Sequence, residues 1–200
     1  VKNSPDIEIQ RKWSRNGPIL PKTSYDLSSI TPKDHVAALS WTALTDKDTT
    51  VSAVIDLMLS QNVNNGLTAL ESFYAPSVNF LLVDSEKMVI KTVGKMPKRS
   101  PLNETQGRMP SLGWKPENNW RGYWGFEVNP MIKSSPGDVL ANTNNKMSDE
   151  NFPKHVSHFW GDTQRILRLQ KLMQNREVHT RESFIEAQLD TVSPTARALL

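Results

Sequence analysis

The chain has 200 residues, with 24 Lys and Arg against 21 Asp and Glu for a formal net charge of +3, 13 Pro against 9 Gly, and no Cys. Charge this mild and evenly spread argues against a nucleic-acid groove, and the lack of Cys excludes disulfides, a thiolate nucleophile and Cys-ligated zinc. No run approaches the roughly 18 apolar residues of a membrane span, and a hydrophobic fraction of 37% with so many prolines predicts a loop-rich α+β body with neither a nucleic-acid nor a membrane partner.

Alternation over Ile7, Ile9 and Trp13 predicts a strand that Asn16-Gly17-Pro18 breaks before Ile19-Leu20. A second strand fits Val36 to Trp41. Asp48-Thr49-Thr50 then starts a helix with Val51, Val54, Ile55 and Met58 along one apolar stripe. Asn64 stands where it can cap a following helix, whose Leu67, Leu70, Phe73 and Tyr74 share a face and which Pro76 ends. Asn79 to Val83 and Lys87 to Val93 read as strands, and Asp84-Ser85-Glu86 joins them as a hairpin.

No period is sustained from Gly94 to Asp138, where Trp114, Trp120 and Trp124 are expected to anchor an irregular segment by burying their indoles. The basic run Lys95, Lys98 and Arg99, interrupted by Pro97, reads as a solvated loop. Asp162 can cap a helix with Ile166, Leu169 and Met173 on one face, and Thr180 another with Phe184, Ile185, Gln188 and Leu189 clustered. Strands thus fall in the first half and helices at about 49–75 and 156–200. No repeat or linker divides the chain, so residues 1–200 read as one segment. It does not begin with Met, and ARALL ends inside a helical pattern, so we expect a piece of a longer protein.

Among chemical signatures there is no GxxxxGK[ST], GxGxxG, HExxH or GxSxG. His155 and His158, with Asp149 and Glu150 nearby, lack a third fixed ligand, and no metal ligand is assigned. The cluster Asn142, Asn144 and Asn145 in VLANTNNKM admits two readings. Asn is common in turns because its side chain bonds nearby backbone. An Asn carboxamide is also a neutral donor that can face an oxygen gaining negative charge, as in an oxyanion hole.

The same residues carry a resemblance. GDVLANTNNKM, then FPKHVSHFWGDTQRI, then QLDTVSPTARALL resemble the middle of the penicillin amidase (penicillin acylase) family, with its ANxNN segment, its aromatic-Trp helix entry with a following Arg, and its QxDxxSxxAxxL helix in that order. Upstream, SRNGPI resembles the family's HGPI segment, LSWTAL its LRWTAL, PSVNFLLVDS its PSQNFVYAD and WRGYWGFEVNP its WxGYxPFxxxP, so the resemblance runs from about Ile7 to Leu200. It departs at Asn16, where the family has His, and at MPSLG, where relatives have LPVPG.

The resemblance implies an N-terminal nucleophile hydrolase with a four-layer αββα core, which cleaves itself to free a catalytic Ser whose own α-amine is the base. That Ser would lie outside this segment, which begins at Val1, so the fragment alone is expected to be inactive. Residue by residue, the resemblance assigns the oxyanion-hole Asn to Asn144, the active-site Arg to Arg165 and an aliphatic acyl-pocket position to Val78. It further implies a small-molecule acyl amide as substrate, the rest of the same precursor as partner, a periplasmic or secreted protein, no cofactor in this segment and a calcium site in the full-length protein with most ligands elsewhere. The other reading is a non-catalytic binding or scaffold domain that keeps the family fold; Val1 and Asn16 favour it.

Overall fold

The computed structural model describes residues 5, 8–135, 137–147, 157–161 and 163–200. They sort into two compact units, Val1–Asp48 with Pro97–Trp124, and Thr49–Met96 with Gly125–Leu200. Each is mixed α/β or irregular with small antiparallel sheets, and the helices fall in the regions the sequence predicts, except that the helix expected to run to Pro76 ends at Leu70, leaving Phe73 and Tyr74 beyond it.

In the first unit, β1 (Trp13–Ser14), β2 (Gly17–Leu20) and β3 (Ala37–Ala38) form an antiparallel sheet in that order. The predicted strand from Ile7 shrinks to β1: Ile7 lies outside the described residues, and Ile9 is exposed and has no ladder partner among the described residues. The strand expected over Val36 to Trp41 shrinks to β3, because only Ala37 and Ala38 find partners, Leu20 and Ile19. Gly17 has φ +114°, and a Cβ there would collide with the Leu39 carbonyl, so the turn needs glycine. Asn16 donates from Nδ2 to the Gly113 carbonyl at 3.0 Å, a bond that uses this departure from the family pattern as a cross-link.

The basic run is less solvated than expected. Arg99 lies over the Trp120 ring at 6.0 Å and Lys98 over the Trp124 ring at 4.8 Å, while Met96 and Ser100 flanking them are buried. A guanidinium or ammonium on an indole face trades hydration for the ring quadrupole, and burial lowers the Arg99 pKa. Trp120 and Trp124 are half-buried as predicted; Trp114 is exposed, against His35. After the basic run, Asn103 is buried and organises a loop, its Oδ1 accepting from Thr105 N, Thr105 Oγ1 and Gln106 N at 2.9–3.1 Å.

In the second unit, α1 (Thr50–Met58) and α2 (Val63–Leu70) pack on β4 (Val78–Val83) and β5 (Met88–Val93), with β6 (Met131–Lys133) added to β5. The three residues of β6 are too few for a periodic signal. Val78 pairs with Val93 and Val83 with Met88. The hairpin turn is held by Asp84, whose Oδ1 accepts from Glu86 N and Lys87 N and whose Oδ2 accepts from Val63 N, the first amide of α2, all at 2.9 Å. These amides, Val63 foremost, hold the carboxyl below its ordinary pKa.

Ala53, Leu70, Phe73 and Val93 form the core, with Leu57, Phe80, Leu82 and Phe126 against it. Fully burying a side chain such as Leu70 contributes about 1.5–3 kcal/mol, and Phe73 meets Phe80 edge-on at 5.6 Å. A Cβ on Gly66 would come within 3.2 Å of Leu57 and Leu82, so α2 approaches its neighbours at that glycine. The stripe that identifies α1 in the sequence is turned outward instead: Val51, Ile55 and Met58 are 73, 53 and 80% exposed. Asn64 does not cap α2 either. Asn62 does, accepting from Asn65 N at 3.0 Å, and Asn64 instead accepts from Lys87 Nζ. Lys91 on β5 is 2% exposed, its ammonium donating to Phe126 O and Asn129 O at 2.9 and 2.7 Å; burial pushes its pKa down.

The C-terminal part holds α3 (Gln164–Gln174), α4 (Arg181–Gln188) and α5 (Pro194–Leu199). Thr163 rather than Asp162 is the residue before α3; Asp162 lies outside the described residues. Thr180 caps α4 as predicted, in a reciprocal box with Ser183. Arg168 grips Asp190 through Nε and Nη2 at 2.9 and 2.5 Å, which holds the Asp190 carboxyl below its ordinary pKa.

Candidate active site

The asparagine segment lies in the second unit beside the β4–β5 hairpin, and its three asparagines divide the two readings between them. Asn142 and Asn145 take the turn role. Asn142 Oδ1 accepts from Asn144 N at 3.1 Å and its Nδ2 donates to Asn145 O at 3.2 Å, while Asn145 Oδ1 accepts from Thr143 N at 3.0 Å. Among the described residues, Asn144 bonds none of its own loop with its side chain. It is exposed, at φ +69°, in the left-handed region that Asn tolerates better than most residues.

Arg165, in the first turn of α3, reaches back to this loop. Its Nη2 donates to Asn144 Oδ1 at 2.9 Å and to the Thr143 carbonyl. A guanidinium has no acceptor, so the carboxamide must turn its oxygen to Arg165 and its NH2 away. Among the described residues no group takes the hydrogens of Asn144 Nδ2. The result is a neutral two-hydrogen donor with its oxygen clamped, exposed on a loop that Arg165 also holds through the Thr143 carbonyl.

Position is transmitted to this loop from the sheet. Asn79 Nδ2 donates to Asn142 Oδ1 at 3.1 Å, and Asn79 Oδ1 accepts from the Thr92 hydroxyl at 2.7 Å. Thr92 is 2% exposed and pairs with Asn79 across the hairpin. Neither residue is a site candidate in the sequence, although a lone Asn in VNFLLV and a Thr in MVIKTV are polar interruptions of apolar strands and were visible there.

Of the three assigned residues, Asn144 and Arg165 are in direct contact. Val78, 37% exposed at the first position of β4, joins them only along the chain, as the residue before Asn79, and strand alternation puts its side chain on the face opposite that of Asn79. His155, Asp149 and Glu150 lie outside the described residues, and among the described residues no group of three or more His, Asp or Glu side chains could hold a metal. Nor, among them, is any helix long and apolar enough to cross a membrane.

Comparison with known proteins agrees with this architecture. The chain is 27% identical over 152 residues to the acyl-homoserine lactone acylase QuiP of Pseudomonas putida, covering 76% of this chain and 18% of that protein. With the QuiP of Pseudomonas aeruginosa it shares 22% over 184 residues, 90% of this chain and 21% of that one. The chain thus spans about a fifth of the length of these curated relatives. Its fold matches the thermostable penicillin G acylase of Alcaligenes faecalis with a TM-score of 0.76 at 18% identity, over 94% of this chain and 32% of that one. The penicillin amidase family model matches residues 1–200, and the chain belongs to that family of amide-hydrolysing acylases.

Proposed function

We propose that the whole protein hydrolyses a small-molecule acyl amide through an acyl-enzyme on an N-terminal Ser outside this segment, with Asn144 donating to the oxyanion. In this reading the serine hydroxyl attacks the carbonyl carbon and passes its proton to the freed α-amine, which returns it to the leaving amine; water then attacks the ester and releases the acid. The carbonyl oxygen is negative in both tetrahedral intermediates, and one donor positioned beforehand typically contributes about 2.7–4 kcal/mol to each. Being uncharged, Asn144 need not be desolvated as an ion.

The observation that carries the reading is the contact between Arg165 Nη2 and Asn144 Oδ1, which leaves the amide hydrogens facing outward. Arg165 is thereby a positioning residue, and its charge adds to the field at the oxyanion. The resemblance assigns Val78 to the wall of the acyl pocket, which would then lie on the hairpin face opposite Asn79. The remaining polypeptide of the precursor brings the nucleophile, and the calcium that the family resemblance implies, expected mostly on ligands elsewhere, enters none of these steps. Acyl-homoserine lactones, named in the curated relatives, are amides of this class and the first substrates to assay. We place the whole protein in the periplasm or outside the cell, as the resemblance implies.

The test is Asn144→Ala in the whole protein, with acid release followed from an acyl-homoserine lactone and from a phenylacetyl amide. A loss on the order of 10²–10³ in kcat with KM changed less is expected, because the donor acts on the transition state. Turnover equal to that of the unaltered protein would remove Asn144 from the reaction. A single chain by mass spectrometry, with no freed N-terminal Ser, would favour the non-catalytic binding domain.

A further inference from the structure

Two groups in the asparagine network have a sense that cannot be reversed, and together they dictate the rest. The backbone N–H of Asn144 is a donor whatever the side chains do, so the Asn142 atom at 3.1 Å from it must be the carboxamide oxygen. That same oxygen faces the Asn79 side chain, so Asn79 must present its nitrogen there, and its own oxygen then faces the Thr92 hydroxyl. At the other end Arg165 can only donate, which fixes the sense of the Asn144 carboxamide.

We infer that Asn79 is a positioning residue for the oxyanion donor, linking the buried Thr92 hydroxyl through Asn142 to the main chain of Asn144. The inference rests on the reading of Asn144 as that donor. Residue type matters at each step. Asn79 must accept from Thr92 and donate to Asn142 at once, which an amide does and a carboxylate cannot; an introduced carboxylate would set its charge against the Asn142 oxygen. Thr92, 2% exposed on the central strand β5, gives the chain of bonds a rigid origin in the hairpin. The link spans 63 positions in sequence, from β4 to the loop, so the hairpin sets where the loop's main chain lies while Arg165 sets where the carboxamide points. A donor displaced by about 1 Å costs on the order of 10²-fold in rate, and that sensitivity gives an anchor of this kind its value.

The experiment uses the whole protein and the lactone assay. Asn79→Asp should lower kcat roughly 10- to 100-fold with KM changed less. Introduced into Asn144→Ala, the same change should cost nothing further, since it acts only through the donor already removed. Its defect relative to the unaltered protein should also shrink as pH falls, because a protonated carboxyl regains a hydrogen to give Asn142. Thr92→Val, equal in shape but lacking the hydroxyl, should reproduce part of the loss and Thr92→Ser restore it; this pair decides the matter if Asn79→Asp does not mature. The inference is overturned if Asn144→Ala is slow but Asn79→Asp and Thr92→Val stay within about twofold of the unaltered kcat, or if the losses multiply in the double variant. If Asn144→Ala itself keeps full turnover, the oxyanion reading fails first and the inference falls with it.

Discussion

Two loops of this molecule are organised by an asparagine within three positions of a non-glycine residue at positive φ, and they do opposite things. In the loop around Asn103, the carboxamide oxygen is turned inward and gathers three local donors; the residue is 3% exposed, and Gln106, at φ +49°, reaches back to the carbonyls of Ser100 and Asn103. In the loop around Asn144, the local bonding is delegated to Asn142 and Asn145, and the residue at φ +69° keeps its carboxamide off its own main chain, exposed and held by a cation from another element. Residue type and backbone strain are therefore shared by a structural turn and a candidate site. The difference lies in what the carboxamide oxygen accepts from: donors of its own loop at Asn103, and a guanidinium from another element at Asn144.

This contrast can be sharpened by substitution, and the two asparagines should respond in orthogonal ways. The largest effect belongs to Asn144. Alanine there loses the donor and also leaves a plain Cβ residue at φ +69°, whereas Asn144→Gly relieves that strain. Both should lose on the order of 10²–10³ in kcat, and denaturant unfolding should find the glycine variant close to the unaltered protein in stability. If the glycine variant recovered turnover, backbone geometry rather than the amide would be the contribution of this position.

Asn103→Ala comes next and reverses the pattern. It takes the shared acceptor away from two half-buried backbone amides, Thr105 N and Gln106 N, while the Thr105 hydroxyl keeps Ser111, which should cost about 1–3 kcal/mol of stability while leaving kcat per folded molecule unchanged. Equal stability would mean that water replaces the asparagine and that the loop is less closed than its geometry implies.

Arg165→Met should have a smaller effect on rate, about tenfold in kcat, since the carboxamide keeps its hydrogens but loses the clamp that aims them. Arg165→Lys should fall between the two, because both contacts come from a single nitrogen, Nη2, and an ammonium carries three donors on a different reach. A steady-state comparison of the three side chains orders them directly.

The smallest effect concerns pH, and it separates two arginines three positions apart on α3. Arg168 holds a carboxylate, Arg165 a neutral amide. The bonds from Arg168 depress the native pKa of Asp190, so this pair contributes stability that is present above the unfolded carboxylate value of about 3.9 and is lost as pH falls through the native one. Asp84 behaves likewise through its bonds to Val63, Glu86 and Lys87. Stability should therefore decline below about pH 4, less steeply in Asp190→Asn, whereas the Arg165 contact to Asn144 has no titrating partner to lose. Denaturant titrations at a series of pH values measure the difference; an unaltered acid slope in Asp190→Asn would assign the decline to other carboxylates.

What could be read in the sequence follows the range of the forces involved. Signals that act within a few residues were legible: the Asp84-Ser85-Glu86 turn predicts the hairpin, Thr180 predicts its cap, and the 3.6-residue period over Thr50–Met58 predicts α1. The motifs from SRNGPI to QLDTVSPTARALL carry the family, which fold and comparison bear out. Period says that a helix forms but not what covers it, and the stripe of α1 faces outward while Ala53 enters the core. Capping from Asn62 rather than Asn64 was a choice between two equivalent residue types, settled by where the Asp84 turn and Lys87 lie.

The asparagine cluster divides along the same line. By itself the sequence determined that a polar, turn-forming segment with three carboxamides precedes a helix bearing Arg165, because turn chemistry and helix period are local properties of residue type. Only the tertiary structure decided which carboxamide is spent on the loop, which is clamped by the guanidinium, and that Asn79 and Thr92 stand behind it. Those bonds join positions 21 to 63 residues apart, or pair across a hairpin, and their sense is set by the packing that brings the partners together.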